Sequence, residues 1–573
     1  MKTYLLFILI LISMILMSCG GILDQKPQGS VSSDDLNTPQ AIESMVIAAY
    51  SALGNEVEWT PFNLWPLGGL RGGDAYKGGD SQTDNLEWHQ YEIFSTNQTD
   101  NARTNDLWVR VYEAVGRIND ALTRLNRKSD EEMPVRKDRI AEMRFLRGHF
   151  YFILKIVYKY FPYIDENIPI SEYSSISNRM YSNDELWEKI AQEFVAAAAQ
   201  LPTSQTDLGR PTKNAALAYL AKVRLYQAYV SDDNNNVTSI NPTRLNEVIE
   251  LCDQVINSNI YSLTSDFAHN FLPEYENNSE SLFSVQYSTK DGTPLGRINM
   301  GYALNYPMTQ EYGCCGIYRP SQNLVNAFKT DQNGLPQFDT YDNADAVDEE
   351  DFLNNTFDPR LDHTVAIPGH PYKYKPDFVY QRSWARSPQI YGFYSSLKEV
   401  VAYDSPAFQK VGPFMGSSMN YIVLRYDDLL LWKAEALIEL ARPNEALPLI
   451  NKIRTRAANS TELLKQADGS YISNYKIDIY KPGTNVNWTQ ANARKALQWE
   501  RRLEFAMENC RFFDLVRWGI ADTYINNYFK TESKKVQYLI NAKFQKGRDE
   551  YLPIPMRQMN YSGDVYIQNA GWQ

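Results

Sequence analysis

The residues in this chain that can do chemistry are not spaced for it. Its five histidines, His89, His149, His269, His363 and His370, are scattered. There is no HExxH, no CxxC, no Gly-x-Ser-x-Gly, no phosphate-binding GxxxxGK[ST] and no GxGxxG. Neither a metal site nor a cofactor is therefore expected. Carboxylates are plentiful, and a glycosidase pair need not be close in sequence. Asp74 or Asp80 with an acid from the run DTYDNADAVDEED (339–351) is the pairing such an enzyme would use. That run lacks the glycine and spacing of an EF-hand loop and reads as a solvated acidic loop. Binding rather than turnover is the leading expectation.

Two stretches have the composition of a ligand surface. The first, residues 59–91, carries Trp65, Tyr76 and Trp88 as flat faces and Arg71, Asp74 and Asp80 as hydrogen-bonding groups among six glycines. Sugars need this mixture: aromatic faces for C–H surfaces and planar polar groups for hydroxyls. Glycines let backbone approach a ligand. The competing reading is a glycine-rich structural loop with core tryptophans. The second combines 302–320 with 372–394 and brings Tyr312, Cys314, Cys315, Tyr318, Tyr372, Tyr374, Trp384, Arg386, Tyr391 and Tyr394. Cys314 and Cys315 are adjacent between Gly313 and Gly316. Either they form a vicinal disulfide, a rigid apolar patch beside the aromatics, or they are two reduced thiols. Cys252 and Cys510 sit on apolar faces of predicted helices and read as buried thiols. So few cysteines exclude a disulfide framework.

Helices must position these stretches. Apolar spacing predicts them over 38–54, 103–126, 137–161, 183–201 with an Asn183 cap, 211–230 and 242–258. The stretch Tyr421–Ala457 reads as a helical hairpin. Arg442-Pro443 stops its first helix and Asn444 caps its second, while Lys452, Arg454 and Arg456 lie in the last turn as dipole-complementing, solvated charges. Four helix pairs result, at about 38–126, 137–201, 211–258 and 421–457. Such pairs cannot bury their faces alone and must stack. A further helix is expected over 489–518. Residues 260–415 are largely aperiodic apart from a strand at 282–288, and long irregular segments in compact proteins are usually functional. The net charge of -12 argues against general nucleic-acid affinity.

The N-terminus is MKTYLLFILILISMILMSCG. Its apolar run has the length of a signal h-region. Leu16-Met17-Ser18-Cys19 resembles a bacterial lipobox, which implies a signal peptide at 1–18, lipid on Cys19 and a polar tether over 19–40. The remaining 41–573 would form one domain.

Several segments together carry a family resemblance: LDQKPQG (23–29), AEMRFLRGHFYFIL (141–154), AALAYLAKVRLYQAYV (215–230), FDPRLDHTV (357–365), LRYDDLLLWKAEAL (424–437), INKIRTRA (450–457), ERRLEFAMENCRFFDLVRWG (500–519) and YLPIPMRQM (551–559). In this order and spread, the chain resembles the SusD-like (RagB/SusD) outer-membrane lipoproteins of Bacteroidota. The resemblance implies a mainly α fold, a right-handed superhelix of four tetratricopeptide-like helix pairs with a large irregular, loop-rich ligand-binding half. It also implies non-enzymatic capture of oligosaccharide, or in some relatives peptide, as a lid on a SusC-like, TonB-dependent outer-membrane transporter. The expected ligand residues are Trp65, Arg71, Asp74, Tyr76, Trp88, Cys314, Cys315, Tyr318, Trp384, Arg386, Tyr391 and Tyr394.

Overall fold

In the computed structural model the described residues are 35–54, 61–293 and 296–572. The signal peptide, the lipid site at Cys19 and residues 19–34 of the tether lie outside them. Among the described residues no helix is long and apolar enough to cross a membrane.

Eight helices form the scaffold: α1 (Pro39–Ser51), α2 (Ala102–Leu125), α3 (Arg136–Tyr158), α4 (Asn183–Gln200), α5 (Lys213–Ala228), α6 (Pro242–Asn257), α7 (Tyr426–Glu439) and α8 (Pro443–Asn459). Each packs on the next in chain order. In α2 the expected stripe Leu107, Val111, Val115, Ile118 and Leu122 is buried, and Asn101 caps the helix by accepting from Arg103 and Thr104 N–H. In α5 the small residues Ala215, Ala216, Ala218 and Ala221 are all buried, which lets α4 and α6 approach closely.

Some local readings are corrected. Helix α4 is capped by Ser182, not Asn183, through a capping box with Glu185. Helix α8 begins at Pro443 with no side-chain cap, so Asn444 does not cap it. The chain from Tyr421 to Arg425 is a strand, not the start of a helix. It pairs antiparallel with Ser281–Val285, joining the irregular half to the scaffold, and its β-branched Ile422-Val423 suits that role. The 489–518 helix is broken into Gln490–Glu504 (α9) and Arg511–Arg517. Between them Met507 and Asn509 take left-handed backbone angles, and Tyr318 Oη donates to the Asn509 side chain at 2.8 Å.

Arg454 and Arg456 are not solvated. Arg454 lies 3.1 Å from Glu500, and Arg456 bonds Glu280 and Glu504. Arg360 joins Asp358 (2.7 Å), Glu500 (2.6 Å) and Glu504 (2.8 Å), all fully buried. Arg425 pairs with Asp427 at 2.7 Å. Burial pushes the Asp427 carboxyl far up, whereas Arg456 and Arg360 overcome burial and hold Glu504 well down. This network welds α7, α8 and α9 to the irregular half.

Candidate functional site

The two sequence stretches do meet, but mostly inside the protein. Strand Ala75–Gly78 pairs antiparallel with Ile317–Pro320, placing Tyr76 opposite Arg319. All eight of these residues are buried. Trp65 is fully buried. Its indole N–H donates to Gly301 O at 2.9 Å, and its ring lies 4.7 Å from Trp88 and 5.0 Å from Tyr318. Arg71 stacks 4.0 Å over Phe512 and donates to Asp549 O; burial lowers its pKa to about 10. Asp74 faces Arg502 at 3.4 Å, and Tyr76 Oη donates to Glu532.

The glycines serve the same interior packing. A Cβ on Gly68 would lie 1.7 Å from Asn509 O, and one on Gly69 would lie 1.9 Å from Tyr318 Oη. They admit other protein segments, not a ligand. Trp65, Arg71, Asp74, Tyr76, Trp88 and Tyr318 therefore leave the set of ligand contacts, because each is buried against core partners. Tyr391 and Tyr394 leave it too: both are buried, and Tyr394 Oη donates to Ala346 O at 2.6 Å.

What reaches the surface is the edge of this ribbon. Cys314 and Cys315 form a disulfide across a cis peptide bond. Cys315 is buried and Cys314 half-buried, beside an exposed Gly313. Next to them a cluster of rings is graded from inside to outside. Tyr306, Tyr312, Tyr372 and Tyr380 are buried, while Phe378, Trp384 and Tyr403 are half-buried on the outer side. The Phe378 ring centroid is 4.7 Å from both Trp384 and Tyr403.

Local structure sets these positions. Pro371–Tyr372 pairs with Lys375–Val379, with Lys373 and Tyr374 left-handed at the turn. The short helical turn Arg382–Trp384 is tied down where Met308 N–H donates to Trp384 O at 2.9 Å.

Polar groups flank the rings. Arg386 Nη1 donates to Cys315 O at 3.2 Å and lies 3.3 Å from Asp84; its Nε is 3.9 Å from Asp80. Asp80 is exposed and Arg386 partly so. Of the residues expected from sequence, Cys314, Cys315, Trp384 and Arg386 come together at this edge. Phe378, Tyr403 and Asp84 were missed. Alternation with the buried Tyr372 and Tyr380 in one ribbon could have flagged Phe378; Tyr403 has no comparable local signal. The acidic run 339–351 is not simply solvated: Lys535 bridges Asp342 and Asp345 at 2.8 Å each, and Asn326 bonds both. Among the described residues no group of histidines, cysteines and carboxylates is arranged to hold a metal ion.

This surface offers flat apolar faces, a partly exposed guanidinium and carboxylates. It suits a polyhydroxylated ligand. Comparison with known proteins agrees with this architecture. A family model described as "Starch-binding associating with outer membrane" matches residues 22–225. SusD-like protein P2 of Formosa agariphila is 24% identical over 584 residues, covering 100% of both chains. The solved SusD homolog of Bacteroides thetaiotaomicron superposes with a TM-score of 0.70 at 18% identity, covering 94% of this chain and 98% of its own. Surface glycan-binding protein A from Bacteroides thetaiotaomicron, solved with laminarihexaose, gives a TM-score of 0.66 at 21% identity, covering 93% and 99%. A family model described as "SusD family" matches residues 279–572, over half the chain, and the chain belongs to that family.

Proposed function

We propose that this protein is a non-catalytic, cell-surface glycan-binding protein that holds oligosaccharide at the edge formed by Phe378, Trp384, Tyr403 and Arg386. The observation that carries this reading is the outward grading of the ring cluster. Three rings stay half-exposed beside Arg386 and two carboxylates, although four neighbouring tyrosines are fully covered. Half-exposed aromatic rings supply apolar area at low cost in side-chain entropy and stack on the C–H face of a pyranose. Arg386 and Asp84 present planar donors and acceptors to the hydroxyls. Laminarihexaose in the surface glycan-binding relative makes β-glucan the first ligand to test.

Lipid on Cys19 would hold the protein at the outer membrane, where it would pass glycan to a SusC-like, TonB-dependent transporter as a lid. Isothermal titration against a panel of oligosaccharides, with peptides in parallel, tests the reading. Binding to a glycan that Trp384→Ala weakens supports it. Binding to peptides alone contradicts it, as does release of reducing ends from polysaccharide by the purified protein.

A further inference from the structure

The Cys314–Cys315 disulfide lies between the two halves of the candidate site. Cys314 packs against both the main core and the separate ring cluster that holds Tyr306, Tyr312 and Tyr372. It is half-buried, like Trp384 and Phe378 on the same cluster. On its other side the Cys315 carbonyl accepts from Arg386, and a Cβ on Gly316 would lie 2.8 Å from Arg386 Cβ. The backbone beyond is pinned, since Gly316 N–H donates to Tyr306 O and Gly79 N–H donates to Gly316 O, each at 2.9 Å. The disulfide thus links the ring cluster, on which Cys314 packs, to the Arg386–Asp84 pair, which the Cys315 carbonyl holds.

We propose that the disulfide is itself a ligand contact, an apolar floor for the sugar face between ring and guanidinium, and that glycan affinity therefore depends on its oxidation. This rests on the glycan-binding reading. A disulfide makes no strong hydrogen bonds and is polarizable, so it favours C–H surfaces over water. Reduction takes up two electrons and two protons, breaks the S–S bond and leaves two thiols. A trialkylphosphine supplies the electrons and leaves as its oxide, with the oxygen and both protons coming from one water. The two thiols rotate independently, and one continuous apolar face becomes two weak donors. Arg386 loses a fixed carbonyl partner at the same time.

The test uses the full mature chain and the best oligosaccharide from the panel. Affinity is measured for oxidised wild type, phosphine-reduced wild type, the Cys314→Ser/Cys315→Ser double variant and Trp384→Ala. Alkylation followed by mass spectrometry reports the thiol state, and circular dichroism the fold. The expected result is a five- to tenfold loss of affinity on reduction. The double variant should show a similar loss and no further response to phosphine, while the fold is retained. Unchanged affinity in both the reduced and the double-variant protein, with Trp384→Ala still weakened, overturns this proposal and leaves the glycan site standing. Alkylation of both cysteines in native, unreduced protein also overturns it. Absence of glycan binding in every arm removes both readings.

Discussion

Replacing Glu504 by Gln tests the ion network that fastens the scaffold to the irregular half. Glu504 is fully buried, bonds Arg456, lies 2.8 Å from Arg360 and is 3.6 Å from Arg425. Removing one partner of a buried ion pair costs about 3–5 kcal/mol, because the remaining charge stays in a low-dielectric site. Two features place this substitution toward the lower end of that range. Glutamine keeps one carbonyl acceptor of the same shape. Asp427, 3.7 Å from Arg456 and 2.7 Å from Arg425, has its carboxyl pushed up by burial and by the nearby carboxylates, including Glu504. With Glu504 neutralised, Asp427 ionises more easily and recovers part of the loss. The expected cost is about 3 kcal/mol, measured by urea unfolding followed by tryptophan fluorescence. Arg442→Ala is the internal control. It removes an exposed pair with Glu445 on the same hairpin, and the unfolding midpoint should not move. If Glu504→Gln is as silent as Arg442→Ala, the network is not a structural weld.

Two other outcomes are expected. Gly68→Ala should lower the thermal midpoint sharply and reduce soluble yield, because the added methyl meets the Asn509 backbone rather than a movable side chain; a midpoint within a degree of wild type would show that the 59–91 stretch is not clamped to the core. Burial raises the Asp549 carboxyl to about 6 and that of Glu550 to about 7. The folded state then binds protons more tightly than the unfolded chain, whose carboxyls titrate near 4, so these groups lower stability as pH rises from about 4 through 7. Asp549→Asn should flatten that fall and stabilise the protein at pH 8, as read from melting temperatures across pH; the same slope in both proteins would contradict it.

The scaffold was legible because its signal is local. A stripe such as Leu107–Val111–Val115–Ile118–Leu122 writes its 3.6-residue period within one segment, and Gln490–Glu504 was equally visible. What could not be read was long-range pairing. Nothing near Trp65 or Tyr76 shows that Ala75–Gly78 will pair with a strand some 240 residues away and be buried on both faces. Tryptophan beside glycine looks the same whether the glycine admits a sugar or, like Gly69, the ring of Tyr318. Arg454 and Arg456 looked like ordinary helix-end cations because their partners Glu280, Glu500 and Glu504 come from other segments. The expected residues that come together at one edge, Trp384, Arg386 and the cysteine pair, lie in the aperiodic stretch. There the absence of a folding pattern was itself the indication. Phe378 and Tyr403 joined it only through packing.

Under the proposed function, glycan is held on the half-exposed rings around Trp384. Titration of an oligosaccharide into wild type and Trp384→Ala tests it most directly. Stacking of a nucleobase on one aromatic ring is worth about 1–3 kcal/mol, and a sugar face held at the lower end of that range makes the variant bind about fivefold more weakly, with its circular dichroism spectrum retained. Equal affinity in the two proteins would place the ligand elsewhere and contradict the account.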